Sequence, residues 1–218
     1  YLALRSNPTI QKAAKGHILV HEAAHADHSM LLLEGWVALS KTLPDGGAQI
    51  YDVMLPGDFA LVGAKIAPIA AFSVEALTDI RFIVIPPEQV NGPDEEQATV
   101  RSMFAAMIVL TQARTSELLL RMGRSSATCR VAYALLELYV RLERIGQAQG
   151  GRFHLPLTQH QIGEFAGLSN VHVCRTMRRF ERDGLITYEG DHDISLNELD
   201  ALSEIAEIDL ALLREEIL

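Results

Sequence analysis

The chain has 218 residues, of which 49% are hydrophobic, and its formal net charge is −9 at pH 7. This acidic balance argues against a protein that coats nucleic acid generally. Two cysteines, Cys129 and Cys174, are too few for a four-thiolate iron–sulfur or zinc site or for a disulfide framework. We expect a cytoplasmic protein without a membrane span, because its apolar runs are short and its start lacks the apolar core of a signal peptide. Native residues before Tyr1 are expected to be missing.

The first part of the chain predicts short strands separated by turns. Apolar and β-branched residues are concentrated in HILV, MLLLEGWVALSKTL, AQIYDVMLPGDF, FSVEAL and RFIVIP. PDGG is typical of a hairpin turn, and the Pro-Gly pair of MLPGDF is typical of a corner. The spacing predicts a compact antiparallel barrel or roll as an N-terminal domain over residues 1–92.

The pattern becomes helical from Asp94 for about thirty residues, which corresponds to a helix about 45 Å long. A spacing of four and three residues, typical of a coiled-coil seam, joins Val100, Phe104, Met107, Thr111, Arg114 and Leu118. We expect the segment 93–124 to be a dimerisation helix with an interface at Val100, Phe104, Met107, Thr111 and Leu118. The alternative is that this helix only packs on its own domain.

A second helix follows, with Ser125 or Ser126 as its cap, and QAQGG then predicts a loop. In LPLTQHQIGEFAGLS, Thr158 can cap a short helix that ends near Phe165 or Ala166, and Gly167 supplies a tight turn. A helix, a short turn with glycine and a second helix together predict a helix-turn-helix.

The second helix of this pair, NVHVCRTMRRFER, has one apolar and one basic face. At 100° per residue, Val173, Met177 and Phe180 lie opposite the arginines Arg175, Arg178, Arg179 and Arg182. Asn170 or Ser169 can cap its start, and Gly184 can end it. The alternative interpretation of this basic face is an ordinary surface helix whose arginines are solvated. The helix and glycine turn just upstream favour a DNA-reading helix instead.

The rest of the chain predicts a wing and one long terminal helix. LITYEGDHDISL is read as two short strands around a turn, and NELDALSEIAEIDLALLREEIL as one acidic amphipathic helix. The carboxylates and histidine of GDHD are ordinary for a solvated turn, and the sequence has no nucleophile-elbow, P-loop or zinc-hydrolase pattern. Residues 125–218 are therefore expected to form a winged helix-turn-helix domain, within an α+β fold and without enzymatic activity.

This order of elements resembles the Crp/Fnr family of bacterial transcription regulators over nearly the whole chain. GHILVHEAAHADHSMLLLEGWVALSKTLPDGGAQIYDVMLPGDF is similar to the family's cyclic-nucleotide-binding-type β-roll, of the double-stranded β-helix type. LPLTQHQIGEFAGLSNVHVCRTMRRFERDGLI resembles its DNA-reading motif. The resemblance implies a homodimer that binds a palindromic site in double-stranded DNA, with RNA polymerase as a further partner.

The resemblance also assigns roles on the second helix. Base contacts are expected from Asn170, Val171, Cys174 and Arg175, with the Arg175 guanidinium reading a guanine. Phosphate contacts are expected from Thr158, Gln159, His160, His172, Arg178, Arg179 and Arg182. Better-known relatives commonly have glutamate at the position of Val171, so the preferred half-site is expected to differ from theirs.

Departures from the family pattern indicate an effector that the chain does not bind. Cyclic AMP sensors hold the cyclic phosphate with an arginine, but this chain has Ala70 and Ala71 at the corresponding positions. No arginine lies between Asp58 and Arg81, where Lys65 is the nearby cation, so we do not expect cyclic AMP binding.

Histidines and a cysteine offer alternatives. His17, His21, His25 and His28 suggest haem as a ligand, although ordinary strand and turn positions are the favoured explanation for them. Cys174 beside Arg175 is an alternative oxidant sensor. The alternative function is a roll-type ligand-binding or scaffolding module whose helix-turn-helix contacts proteins, from which the basic face at 170–182 distinguishes a DNA-binding regulator.

Overall fold

The computed structural model describes residues 9–44, 46–64, 66–90, 93–190 and 192–217. The chain forms two compact units, of which the first takes in residues 1–48 and 52–112 and the second residues 49–51 and 113–218. Strands dominate most of the first unit and helices most of the second, so the predicted α+β class is confirmed. The domain boundaries at 92 and 124 remain predictions.

The roll contains two four-stranded sheets with the orders β1-β8-β3-β6 and β2-β7-β4-β5. Its strands are β1 (Ile10–Ala13), β2 (Ile18–Val20), β3 (Ser29–Glu34), β4 (Val37–Thr42), β5 (Ala48–Met54), β6 (Phe59–Ala60), β7 (Ser73–Ala76) and β8 (Ile80–Ile85). β8 pairs antiparallel with both β1 and β3, and β7 with both β2 and β4. The predicted antiparallel roll is confirmed.

Alternating side chains build the core of the roll. Val74 and Ala76 of β7 are fully buried, as are Leu32, Val37 and Val53 on other strands. β1 was not predicted, because its sequence IQKA is largely polar and mostly exposed and so lacks an apolar alternation. The predicted PDGG turn contains Asp45, which lies outside the described residues.

The long helix α1 (Glu95–Arg124) follows a short 3-10 turn at Pro87–Gln89. Acidic Glu95 and Glu96 lie in its first turn, where the helix dipole favours negative charge. The predicted helix of about thirty residues is therefore present.

The N-terminal part of the predicted seam is core of the roll. Val100 is fully buried and Phe104 is 6% exposed, in a cluster that includes Leu31 and Ile85. The ring of Phe104 meets that of Phe59 edge to face, with centroids 5.1 Å apart. This half of the seam thus packs on its own domain, which was the alternative, and offers little free surface to a second chain.

The other side of α1 is apolar and exposed. Ile108, Val109, Leu119 and Leu120 are each at least half exposed. By length and composition alone, α1 is long enough and apolar enough to cross a membrane. This corrects the expectation that every apolar run is too short to do so. A single helix of this kind is weak evidence for a membrane span.

The second unit surrounds a buried helix, α2 (Ala127–Arg144), whose start is capped by Ser126. After it come β9 (Ala148–Gln149), β10 (Arg152–His154), α3 (Gln159–Ala166), α4 (Asn170–Arg182), β11 (Ile186–Glu189), β12 (Asp193–Leu196), α5 (Leu199–Ala206) and α6 (Leu210–Ile217). The strands form one antiparallel sheet in the order β11-β12-β10-β9, so the two predicted strands of the wing are confirmed.

Two predictions in this unit were wrong. The expected QAQGG loop contains β9 and turns through Gly150 and Gly151 into β10, because both glycines adopt positive φ angles. The expected single terminal helix is broken into α5 and α6 at Glu207, which has φ 55°. Asp209 then accepts hydrogen bonds from the backbone N–H groups of Ala211 and Leu212 and so starts a new helix.

Candidate nucleic-acid interface

The first helix of the motif, α3, begins with a reciprocal cap. The backbone N–H of Gln161 donates to the Thr158 hydroxyl at 3.2 Å, and the Thr158 N–H donates to the Gln161 side-chain oxygen at 2.9 Å. This capping box satisfies two N–H groups that a helix end otherwise leaves unpaired. The predicted cap at Thr158 is confirmed.

The turn after α3 is tight and depends on two glycines. Gly167 ends the helix in the left-handed region with φ 66°, and the Leu168 N–H donates to the Gly163 carbonyl at 2.8 Å. A Cβ atom on Gly163 would lie 2.5 Å from the Leu168 carbonyl oxygen. Glycine is therefore required at both positions for α4 to follow α3 so closely.

Arg130 of α2 fixes this turn, which local sequence patterns did not predict. Its Nη1 atom donates to the Gly167 carbonyl at 3.1 Å, and its Nε atom to the Ser125 carbonyl at 3.2 Å. The guanidinium thus binds a carbonyl that the end of α3 leaves without a helical partner. No local pattern reveals this contact, because the two partners are 37 residues apart in sequence.

The boundaries of α4 agree with those predicted. Ser169 is the cap residue, and its hydroxyl accepts from the His172 N–H at 3.5 Å. The helix ends at Arg182, Gly184 has φ 75°, and the Leu185 N–H returns to the Phe180 carbonyl at 2.8 Å. Of the two candidate caps, Ser169 is the one used.

The two faces of α4 are separated as the helical projection predicted. Val173, Met177 and Phe180 are at most 1% exposed. Val171 is 63% exposed, and Asn170 and Arg175 are also exposed, while Cys174 is half-buried. The predicted base-contacting residues therefore lie on accessible surface, apart from partial cover at Cys174.

The four arginines of α4 are not equivalent. Arg175 and Arg178 have no ion-pair partner in the part of the chain that the structure describes. Arg179 and Arg182 share one carboxylate, with Nε atoms 3.4 and 3.1 Å from the oxygens of Asp183. All four side chains are exposed, so α4 carries two unpaired and two partly neutralised guanidinium groups.

The remaining predicted phosphate contacts lie at the starts of the two helices. Thr158 and His160 are exposed on the first turn of α3 with the half-buried Gln159 between them, and the His160 Nε2 atom lies 3.3 Å from a Glu164 oxygen. The His172 Nδ1 atom lies 2.9 Å from the Ser169 hydroxyl. Helix-turn-helix geometry thus joins these residues with the arginines of α4 in one motif.

Tyr188 of the wing was not predicted as part of this surface. It is 37% exposed, on β11, and burial raises the pKa of its hydroxyl, with the negative charge of Glu181 adding to the effect. The Gln159 side chain acts in the opposite direction as a hydrogen-bond partner. Tyr188 therefore connects the wing to the start of α3.

The roll does not assemble the histidines. His17 and His21 flank β2, His25 forms an isolated bridge with Ile69, and His28 approaches Asp27 at 3.1 Å. Among the described residues, no three histidine, cysteine, aspartate or glutamate side chains are grouped to hold a metal ion.

Haem stays a prediction, as does the lack of cyclic AMP binding at Ala70 and Ala71. Lys65, and Asp191 of the GDHD turn, lie outside the described residues.

Two family models match the chain. Residues 10–92 match the cyclic nucleotide-binding domain, and residues 129–205 match the Crp-like helix-turn-helix domain. The two matches cover the roll and the DNA-reading motif respectively.

Relatives and solved structures are similar over most of the chain. The transcriptional activatory protein AadR of Rhodopseudomonas palustris is 32% identical over 180 residues, which are 79% of this chain and 71% of that protein. The transcriptional activator protein FnrL of Cereibacter sphaeroides is 25% identical over 88% of this chain and 77% of its own length. The structure of FixK2 from Bradyrhizobium japonicum is similar with a TM-score of 0.78, at 25% identity, over 91% of this chain and 96% of that one.

Proposed function

The chain belongs to the Crp/Fnr family of transcription regulators, which bind DNA and are not enzymes, and we propose that it binds a palindromic site as a homodimer with α4 in the major groove. The observation that carries the proposal is the division of α4 into a buried apolar face and an exposed basic one. A helix that uses one face for its own core can offer the other to base edges.

Arg175 is the proposed guanine reader. It is exposed, lies in the second turn of α4, and has no ion-pair partner among the residues described. The N-terminal part of a recognition helix enters the groove, and a guanidinium can donate two bonds to guanine O6 and N7. Asn170, Val171 and Cys174 are proposed to contact neighbouring bases.

Phosphate contacts are proposed for the residues that surround this reading face. Arg178, Arg179 and Arg182 lie on the basic face toward the C-terminal end of α4, where a recognition helix diverges from the bases. Thr158, Gln159, His160 and His172 lie at helix starts, where backbone N–H groups and the helix dipole favour an anion.

The dimer interface is proposed on the exposed side of α1 rather than at Val100 and Phe104. At 100° per residue, Ile108, Val109, Leu119 and Leu120 fall within about 120° of one another, and the centre of this patch is about 140° from Val100 and about 100° from Phe104, with Ile108 at the edge nearest Phe104. An apolar surface of this kind marks a contact site, and a second copy of α1 would cover it. Met107, Thr111 and Leu118 lie nearer the buried side and contribute at most its edge.

RNA polymerase and a cytoplasmic location complete the proposal. AadR and FnrL are both named as activators, and an activator acts on the polymerase at a promoter. Without an arginine at the positions of Ala70 and Ala71, cyclic AMP is not the proposed effector.

The direct test is selection of bound sequences from random double-stranded DNA with the purified chain. We expect an inverted repeat with half-sites about one helical turn apart. Enrichment of a single unrepeated site, or of no sequence at all, would contradict a palindrome-reading dimer.

Arg175→Ala tests the reading role on the selected site. We expect a loss of about 1–3 kcal/mol and a flattened preference at one base pair in each half-site. Arg144→Ala, which removes an exposed arginine at the end of α2, is the matched control. An even loss across all single-base changes of the site would make Arg175 a phosphate contact instead.

A further inference from the structure

We propose that a junction formed by Met122, Arg130 and Gly167 sets the spacing between the two half-sites that the protein reads, which rests on the proposed function. These residues would position α4 without touching the DNA themselves. All three lie in the second unit, as does the part of α1 from Ala113 onward.

Arg130 binds the C-terminal ends of two helices at once. Its Nε atom donates at 3.2 Å to the carbonyl of Ser125, the first residue after α1, and its Nη1 atom donates at 3.1 Å to the carbonyl of Gly167, the first residue after α3. The Ala166 carbonyl accepts from the same Nη1 atom at 3.5 Å. Helix C-terminal ends carry partial negative charge and leave carbonyls without helical partners, so one guanidinium stabilises both ends.

The Arg130 guanidinium is shared only between carbonyls. It is half-buried and has no ion-pair partner in the part of the chain that the structure describes. Because the N–H groups of an arginine form a rigid fork, two carbonyls that bind the same fork are held at a fixed separation. The end of α1 is therefore connected through one side chain to the turn that precedes α4.

Met122 adds a direct contact between the same two segments. A Cβ atom on Gly167 would lie 2.9 Å from the Met122 Cε atom and 3.4 Å from its Cγ atom, so the Met122 side chain covers the turn closely. The last turn of α1 thus packs on the turn between α3 and α4. Only Ser125 and Ser126 separate α1 from α2, which leaves little slack in the chain at this point.

The exposed apolar side of α1 reaches this junction. Leu119 is 69% exposed and Leu120 is 55% exposed, and Leu119 lies about 4.5 Å along the helix axis from Met122. In the proposed dimer these two leucines meet the second copy. The path from the two-fold axis to α4 is then short, and it runs through the end of α1 and the junction.

Half-site spacing is the property that such a path controls. One added base pair moves the half-sites apart by about 3.4 Å and rotates one relative to the other by about 35° around the DNA axis. A dimer whose reading helices are fixed relative to its two-fold axis cannot follow both changes and loses affinity. A dimer in which α4 can move relative to α1 follows them with little loss.

The test is binding of the whole chain to operators that differ only in spacing. The half-sites are those of the selected inverted repeat, with one base pair added or removed between them. We expect the unaltered chain to bind each altered operator at least about tenfold more weakly than the selected one. In Arg130→Met the same change should cost less than about threefold, whereas Arg144→Met, at an exposed arginine at the other end of α2, should keep the tenfold cost.

A base change inside the half-site separates positioning from folding. The single-base change that weakens the unaltered chain most should cost the same in Arg130→Met, within about twofold, because the reading face of α4 is unchanged. If the cost of this base change falls together with the cost of the spacing change, Arg130 only holds the turn folded, and the proposal fails.

Met122→Ala is the second variant, and it decides the question where Arg130→Met does not fold. It removes the contact with Gly167 but neither carbonyl bond, and the cost of the spacing change should again fall below about threefold. Met103→Ala, at a partly exposed methionine in the first half of α1, is its control and should keep the tenfold cost.

The unaltered chain distinguishes the two possible failures. If it selects no inverted repeat, the proposed function fails, and the role of the junction fails with it. If it selects an inverted repeat but tolerates every spacing equally, or if both variants keep the full cost of a spacing change, the junction does not set the spacing, while the proposed function stands.

Discussion

Helices α4 and α1 are both two-faced, but they present opposite chemistry to solvent. α4 buries Val173 and Phe180 and exposes arginines, whereas α1 buries Val100 and Phe104 and exposes Val109 and Leu120. In α4 only one face is apolar, so periodicity alone identifies the core side. In α1 both sides are apolar, and the same periodicity selected the side that packs on the roll rather than the side left open.

The difference shows what an apolar repeat determines. A repeat establishes which residues share a face of a helix. The chemistry of the opposite face decides whether the repeat alone is sufficient to identify the side that packs in the core. Where the opposite face is charged, the apolar face must be core. Where it is apolar as well, the covering surface has to come from tertiary structure or from another chain.

The most sensitive test of this comparison is a pair of truncations on α1. Phe104→Ala should lower the free energy of unfolding by about 3–5 kcal/mol, because it leaves a cavity beside Phe59 and Ile85. Val109→Ala, at a side chain that is 65% exposed, should change the stability of the monomer by about 0.5 kcal/mol or less. Chemical denaturation at low protein concentration measures both, and equal losses would mean that the two faces of α1 are not distinct.

Charges on the open side of α1 test whether a second copy covers it. Val109→Glu combined with Leu120→Glu should weaken the dimer at least about 30-fold, or about 2 kcal/mol, because like charges would face each other across the two-fold axis. Sedimentation equilibrium measures the change. Leu43→Glu, at a residue of similar exposure in the roll, is the control, and an undisturbed double variant would place the interface elsewhere.

On α4, a phosphate contact should behave differently from a base contact. Arg182→Ala should weaken binding to every DNA sequence by on the order of 1 kcal/mol and make the salt dependence shallower by about one unit. Binding measured at several salt concentrations tests this, with Arg144→Ala as the control. A sequence-dependent loss would instead assign Arg182 to base reading.

The smallest effect is expected from the carboxylate that Arg179 and Arg182 share. Asp183→Asn should tighten binding to all DNA by about 0.5–1 kcal/mol, because it releases two exposed guanidinium groups from one partner. Replacing a negative charge at the end of α4 should also leave the helix slightly more stable. Weaker binding in this variant would show that Asp183 instead holds the arginines in their binding positions.

Local chemistry made the DNA-reading motif predictable from the sequence. Thr158, Gly167 and Gly184 each act within four residues along the chain, so their effects appear in the sequence itself. Arg130 was missed because its partner at Gly167 is distant in sequence, and the break at Glu207 because Asp209 starts a new helix inside one continuous apolar pattern.

The exposure of the reading face of α4 has a consequence for how such a regulator evolves. Asn170, Val171 and Arg175, the proposed base contacts, lie outside the core, so substitutions there should change the folding free energy by about 0.5 kcal/mol or less. The scaffold beneath them depends instead on Val173, Met177, Phe180 and the Arg130 contact. On the proposed roles, a lineage can therefore exchange one operator for another through successive stable intermediates, because the proposed specificity residues are separate from those that stabilise the fold.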